Sequence, residues 1–249
     1  MMKKAAFITG GTGGLGFILV QKLLEMNYEV ISVSRDAKKI KKAERRLNSD
    51  QVFFIQGDIR EEQTIEEVYQ YLFNKYGYVN VLINNAAIMA GGGIEKISPE
   101  EWEDVFDLNV HVPFKIIKKL TRLLKRAESA RIINVSSIAS QITGGCMAYS
   151  ASKAAMDMMT KSLAKELSKY YIRVNTVNPG LINTGFQIHN CIMSEKEYEA
   201  YLEDSSNEYP MGIGTADDVA ELICFLISAK GVWITGSNYI IDGGRSINC

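Results

Sequence analysis

Short apolar runs alternate with longer segments of helical periodicity along the whole chain, and no other feature restricts the fold so severely. Strand-like runs cover residues 5–9, 28–34, 52–56, 79–84, 131–136, 172–177 and 237–242. Helical segments lie between them at 15–26, 36–47, 61–76, 99–128, 148–170 and 216–228. Strands alternating with helices form βαβ units, which build a parallel sheet with helices on both faces. The runs VISVS and IINVS are apolar with little alternation, as strands covered on both sides require. In the first helical segment Leu15, Ile18, Leu19, Leu23 and Met26 fall on one stripe. Ser98-Pro99-Glu100-Glu101 predicts a capped helix start, and Thr215-Ala216-Asp217-Asp218 a second.

No linker or repeat divides the 249 residues, so the expected organisation is one domain over 1–249. Residues 187–209 break the rhythm, with a short helix-like stretch at 194–204, and suggest a small substrate-binding lobe at about 185–214. With 47% hydrophobic and 23% charged residues, the chain is neither disordered, collagen-like nor a coiled coil. A net charge of -1 gives no reason to expect a nucleic-acid partner. No apolar run reaches the ~18 residues of a membrane span, and the apolar start is too short for a signal-peptide core. Cys146, Cys191, Cys224 and Cys249 lack CxxC spacing, and only His111 and His189 could join them, so no metal site is expected. Reduced thiols in the cytoplasm are the simpler reading. As the last residue, Cys249 forms no prenylation box.

After the first strand comes Thr9-Gly10-Gly11-Thr12-Gly13-Gly14-Leu15-Gly16, which opens the first helix. Glycines let backbone amides approach a pyrophosphate, and a helix N-terminus adds partial positive charge. The loop is not a P-loop, since no Gly-Lys-Ser/Thr follows, and a tight structural turn is the competing reading. The second strand ends Ser34-Arg35-Asp36. An acid there would take a ribose 2′-hydroxyl, whereas an Arg matches a 2′-phosphate. Ser34 and Arg35 therefore favour NADP(H), with NAD(H) as the alternative if Arg35 is merely solvated beside Asp36. The glycine loop itself carries no Lys or Arg.

Tyr149 and Lys153 are four apart, so on a helix they share a face. A nearby ammonium favours a phenolate, which would make Tyr149 a general acid/base. Such a pair is also ordinary helix surface. The fifth strand ends Asn134-Val135-Ser136-Ser137, where a hydroxyl can reach a carbonyl held over the sheet or simply cap a turn. Asn109 lies inside a helical segment, where Asn needs a kink or a buried polar contact to account for it.

These motifs together resemble the short-chain dehydrogenase/reductases, in the branch of single domains of about 250 residues. The resemblance runs nearly end to end: TGGTGGLG at 9–16, Asp58, NNAA at 84–87, Asn109, NVSS at 134–137, YSASK at 149–153, NTVNPGLINTG at 175–185 and ITGSNYIIDGG at 234–244. It implies a Rossmann-type doubly wound α/β fold with seven parallel strands, and a nicotinamide cofactor. It implies Tyr149 as acid/base, with Lys153 lowering its pKa and holding the nicotinamide ribose. Ser137 would bond the reacting oxygen, and Asn109 would support a water connecting Lys153 to solvent. Asp58 and Ile59 would bracket the adenine, and Asn85 and Ala86 would line the adenosine ribose. Pro179, Gly180, Ile182 and Thr184 would hold the nicotinamide. The family's usual assembly is a homotetramer with two long helices pairing between subunits.

Departures are visible. NNAA replaces NNAG, which Ala87 tolerates only with φ below zero. Ser137 and Tyr149 are 12 apart where 13 is commoner. Ser136 has the longer spacing, but Asn134-x-x-Ser137 favours Ser137. The shortened segment carries Gly144, Gly145, Cys146 and Met147, and Cys146 is expected in the substrate pocket with Phe186. Pro210-Met211-Gly212-Ile213-Gly214 is one residue shorter than the family's P-x-G-R-x-G and lacks its Arg. The expected function is an NADP(H)-dependent interconversion of a ketone or aldehyde with an alcohol. The alternatives are an NAD-dependent alcohol dehydrogenase and a non-catalytic nucleotide-binding regulator. A sugar-nucleotide epimerase fits poorly, because those relatives are longer and carry an extra substrate domain that this chain lacks. Ile188, Ile192 and Met193 suggest an apolar wall, and no basic cluster awaits a phosphopantetheine. A small apolar carbonyl or steroid-like alcohol is therefore preferred over a 3-oxoacyl thioester.

Overall fold

The computed structural model describes residues 3–143 and 146–247, so Gly144, Gly145 and Cys249 lie outside the described residues. Seven strands form one wholly parallel sheet in the order β3-β2-β1-β4-β5-β6-β7. They are β1 (Lys4–Thr9), β2 (Tyr28–Ser34), β3 (Val52–Gln56), β4 (Val81–Asn84), β5 (Arg131–Val135), β6 (Arg173–Pro179) and β7 (Asn238–Ile241). The order reverses between β1 and β4. A crevice opens at such a switch point, outside the carboxyl ends of the strands.

Helices α1 (Gly14–Glu25), α2 (Ala37–Leu47) and α3 (Glu62–Lys75) follow the first three strands. Next come α4 (Pro99–Phe106), α5 (Val112–Leu124), α6 (Met147–Leu167), α7 (Phe186–His189), α8 (Glu195–Ser206) and α9 (Ala216–Ile227). Two cores hold the layers together. On one face α3, α5 and α6 pack on Phe7, Ile31, Leu82, Ile132 and Val174. On the other, α1 and α9 pack on Ala6, Ile8, Val30, Ile83, Ile133 and Val177. In β1, β2, β4 and β5 alternate residues thus serve opposite cores, which is why these strands are largely apolar. Each large aliphatic or Phe side chain fully buried there contributes roughly 1.5–3 kcal/mol. α2 packs through Ile40 and Ala43 on Phe17 and Phe54.

The helix caps expected at Ser98 and Thr215 both form, as capping boxes with Glu101 and Asp218, and a third box forms at Ser194/Glu197. One segment departs from expectation. The helix predicted over 99–128 breaks at a π-helical turn, Asp107–His111, and ends at Leu124. Pro113 has no N–H for the Asn109 carbonyl, and the Val112 N–H reaches back five residues to Asp107 instead. α7, which the sequence pattern did not indicate, starts after Gly185 at φ 69°.

Candidate active site

The turn between β1 and α1 is a cradle of bare backbone. Gly10 (φ 74°) and Gly14 (φ 51°) are left-handed. A Cβ on Gly16 would stand 2.1 Å from the Gly10 carbonyl oxygen. Gly13 occupies the N-cap of α1 and brings no side chain, so the first amides of that helix have no side-chain cap. Those amides and the helix dipole make an anion site of the kind a pyrophosphate takes. Thr9 joins this loop to the end of β4. Its Oγ1 accepts from the backbone N–H of Asn85 (3.0 Å) and Ala86 (2.9 Å), and Asn85 Nδ2 donates to the Thr9 carbonyl (3.0 Å). Ala87 is not among the described non-glycine residues with positive φ, so Ala fits where the family pattern has Gly.

The corner beyond β2 is cationic. Arg35 Nη1 lies 3.6 Å from Asp58 Oδ2, with the Arg35 side chain 65% exposed. Thr12 Oγ1 donates to Ser34 Oγ at 3.3 Å. The same cleft is lined by Lys39, Lys42 and Arg46 of α2, and the Arg46 guanidinium lies 4.1 Å from the Phe17 ring centre. The glycine loop lacks cations, but α2 brings three. Their spacing of three and then four residues is visible in the sequence, but the sequence alone does not say which face of α2 turns to the cleft.

At the carboxyl ends of β4, β5 and β6 the buried side chains turn polar. Asn84 Nδ2 donates to Asn134 Oδ1, and Asn134 Nδ2 to Thr160 Oγ1 of α6, both at 2.7 Å. This ladder fixes α6 against the sheet and hence the placement of Tyr149 and Lys153. Lys153 is almost wholly buried, and its Nζ donates to the Val135 carbonyl at 2.8 Å and lies 5.4 Å from the Tyr149 ring centre. Ser137 bonds the Tyr149 phenol and accepts from the Ala139 N–H at 3.1 Å. Ser136 points away, donating to the Lys153 carbonyl at 3.3 Å. The two serines thus face different partners, Ser137 the Tyr149 phenol and Ser136 the Lys153 carbonyl.

One expectation is corrected. Spacing alone suggested that Lys153 lowers the Tyr149 pKa. Burial instead pushes the Tyr149 phenol up to about 12, and the Ser137 bond offsets only part of it. Burial also pushes the Lys153 ammonium down to about 8, against the pull of Asp157. The ammonium is turned to the Val135 carbonyl rather than to the phenolic oxygen.

One cleft of about 690 Å³ brings the sequence-derived residues together. Gly10, Thr12, Gly13, Gly14, Leu15 and Gly16 line it, as do Ser34, Arg35, Asp58, Ile59, Asn85 and Ala86. Ser137, Cys146, Tyr149, Lys153, Pro179, Gly180, Ile182, Thr184 and Phe186 complete the set. The Phe186 ring centre is 6.1 Å from that of Tyr149. Asn109 is not in the lining. It sits fully buried in the π turn, where Oδ1 accepts from the Ile88 N–H and Nδ2 donates to the Ile88 carbonyl, both at 2.9 Å. Nδ2 also donates to Ser152 Oγ at 3.0 Å. Both the kink and the buried contact that an Asn in this segment calls for are present. Asn190, which the sequence did not single out, ties the far wall together by accepting from the Met89 N–H at 3.1 Å. Among the described residues no helix is long and apolar enough to cross a membrane.

Fold and cleft together define a class: an open parallel sheet with a dinucleotide-type cradle at its switch point and a Tyr–Lys pair, its Lys153 buried, beside it. The short chain dehydrogenase family model matches residues 4–191. A 3-oxoacyl-[acyl-carrier-protein] reductase FabG of Buchnera aphidicola is 32% identical over 97% of this chain and 97% of its own. An NADP-dependent (R)-specific alcohol dehydrogenase of Lentilactobacillus kefiri is 31% identical, over 97% and 96%. The solved Pseudomonas aeruginosa RhlG/NADP active-site complex superposes with a TM-score of 0.87 at 32% identity, covering 98% of this chain and 97% of that one. The chain belongs to the short-chain dehydrogenase/reductase family, NAD(P)-dependent enzymes acting on CH–OH/C=O groups.

Proposed function

We propose that the protein is an NADP(H)-dependent oxidoreductase that interconverts a ketone or aldehyde with an alcohol, with Tyr149 as acid/base. The observation that carries this reading is a buried Lys153 beside a Tyr149 phenol bonded to Ser137, in the same cleft as the Gly10–Gly16 cradle. The cradle fits a pyrophosphate, because a side chain at Gly16 would close it and Gly13 leaves the α1 amides open. When bound, the reduced cofactor NADPH would supply the hydride that a carbonyl carbon accepts, leaving as NADP+. The chain's own residues do the rest. As charge grows on the carbonyl oxygen, Ser137 and Tyr149 donate hydrogen bonds to it, and Tyr149 delivers the proton. Lys153 holds the nicotinamide ribose. Oxidation of an alcohol runs the same steps backwards.

The remaining roles follow the family pattern. Asp58 and Ile59 bracket the adenine, and Asn85 and Ala86 line its ribose. Pro179, Gly180, Ile182 and Thr184 hold the nicotinamide. Asn109 supports a water route to Lys153. Arg35, helped by Lys39 and Lys42, supports a 2′-phosphate and hence NADP(H) over NAD(H). Residues 185–214, with α7 and α8, form a substrate lobe on a single domain. Met89, Ile142, Cys146 and Phe186 line the cleft there. Arg245 in the lining is paired with Glu208 at 2.9 Å. This favours a small apolar carbonyl or steroid-like substrate over a 3-oxoacyl thioester. Exposed Phe114 on α5 and Met158 on α6 support a homotetramer that pairs these helices between subunits. The free described cysteines support a cytoplasmic home.

Titration with NADPH and NADH, followed by nicotinamide fluorescence, tests the reading. Tighter NADPH, then NADPH oxidation on a panel of ketones and aldehydes, is expected. Tighter NADH would remove the 2′-phosphate assignment, and binding of neither would overturn the enzyme.

A further inference from the structure

Tyr149, Lys153 and Asp157 follow one another at intervals of four, so consecutive turns of α6 bring them to one face. Asp157 is buried, at 6% exposure. Its Oδ2 accepts from Ser140 Oγ at 2.7 Å and from Asn178 Nδ2 at 2.8 Å. The Asn178 amide in turn donates to the Ser137 carbonyl at 3.2 Å. Asp157 Oδ1 is buried with no hydrogen-bond partner. An under-satisfied carboxylate is costly in a protein interior, and a neutral side chain would fill this place at less cost.

The surroundings indicate what the charge does. The elements packed against Lys153 offer neutral groups: the Val135 carbonyl at the end of β5, Ser136 after it, and Asn109 of the π turn by way of Ser152. Tyr149 on the same helix is a neutral phenol with its pKa raised. The charge that acts on Lys153 is that of Asp157, one turn on.

We propose that Asp157 is a positioning residue for the reaction: its carboxylate ties the turn carrying Ser137 to the helix carrying Tyr149 and Lys153, and gives the buried ammonium its counter-charge. The inference rests on the reading of Ser137, Tyr149 and Lys153 as the reaction centre.

Asp157→Asn keeps an oxygen for Ser140 and Asn178 and removes the charge. Ser140→Ala keeps the charge and removes one anchoring bond. Two readouts separate these effects: NMR titration of Lys153 in protein with nitrogen-labelled lysine, and the pH profile of kcat on a ketone found in the NADPH screen. In Asp157→Asn, Lys153 loses its proton at lower pH and the alkaline limb of kcat moves with it. At pH 7 kcat falls on the order of tenfold while KM changes little, since a small misplacement of reacting groups costs that much. Asp157→Glu returns the titration towards the native one. Ser140→Ala lowers kcat without moving the titration, and it is readable even if the Asp157 variants do not fold. An unmoved Lys153 titration in Asp157→Asn overturns the counter-charge, and full kcat in Ser140→Ala overturns the tie. Full turnover in Tyr149→Phe would instead sink the parent reading, because the Lys153 titration reports on Asp157 whether or not Tyr149 is the acid.

Discussion

The two ends of the sheet each bury a charge beside a tyrosine, and they treat it in opposite ways. At the amino end Glu29, near the start of β2, is surrounded by donors. Lys3 pairs with one oxygen, while Tyr76 (2.6 Å) and Lys75 (3.0 Å) reach the other. Burial pushes this carboxyl up, but the three donors outweigh it and hold the pKa at about 2. At the carboxyl end Lys153 has one backbone carbonyl and no carboxylate in contact, and burial prevails. The saturated charge is locked in one state over the whole working range and can only hold the fold together. The under-satisfied one sits at about 8, where a small change of surroundings moves its proton.

Tyr149→Phe breaks the comparison most severely. It removes the proton donor and leaves the cradle untouched, so kcat should fall by about 10²–10⁴ with NADPH affinity nearly unchanged. Comparable turnover in the variant would sink the assignment. The pH profile of kcat/KM for carbonyl reduction sharpens the same point. Tyr149, at about 12, keeps its proton through the neutral range. Lys153 loses its own through about 8, so reduction should be flat below that pH and decline above it.

Stability provides a contrast of sign. The folded Glu29 carboxyl lies below its ordinary 4.5, so its contribution is present above pH 4.5 and is lost as pH falls towards 2. Glu29→Gln should cost about 1.5–3 kcal/mol at pH 7, flatten the acid limb of stability, and leave turnover alone. Lys153 lies below its ordinary 10.5, so between about 8 and 10.5 the unfolded chain binds more protons and stability rises with pH. Lys153→Met should therefore abolish turnover yet leave the fold as stable, or more stable by up to about 2 kcal/mol. Thermal melts across pH decide it. A Lys153→Met variant that loses as much stability as Glu29→Gln would mean the two ends do not differ.

What the sequence disclosed follows the same division. A strand buried on both faces is mostly apolar, so 28–34 could be read to the residue; the edge strand 52–56, with Phe53 exposed, was legible as a short apolar run. The Tyr149–Lys153 pair was legible because four residues make a helical turn. Burial was not legible, and burial sets the direction of both pKa values. Asp157 lies at the next interval of four, but an Asp on a helix looks like surface until Ser140 and Asn178 are seen to close on it. Asn109 and Pro113 marked a disturbance in 99–128 without revealing its form, because a π turn is settled by which carbonyl the next N–H finds.

Arg35 supplies the smallest effect and the third kind of charge, an exposed one. Its side chain is 65% exposed and its contact with Asp58 is 3.6 Å, so the pair itself adds little to stability. Arg35→Ala should leave the melting curve where it is. A 2′-phosphate would change the value of this residue, because a guanidinium offers it paired, charge-assisted bonds. Lys39 and Lys42 also line the corner and would keep part of the attraction. The expected loss in NADPH affinity is therefore about tenfold, below what the sole anchor of a phosphate would show. NADH affinity should hardly move, and raising salt should narrow the gap between the two cofactors in the native protein. Equal weakening of NADPH and NADH would mean that Arg35 supports the adenosine ribose or the fold of the corner. The cofactor preference would then rest on α2 alone, and the double substitution Lys39→Ala with Lys42→Ala would become the deciding titration.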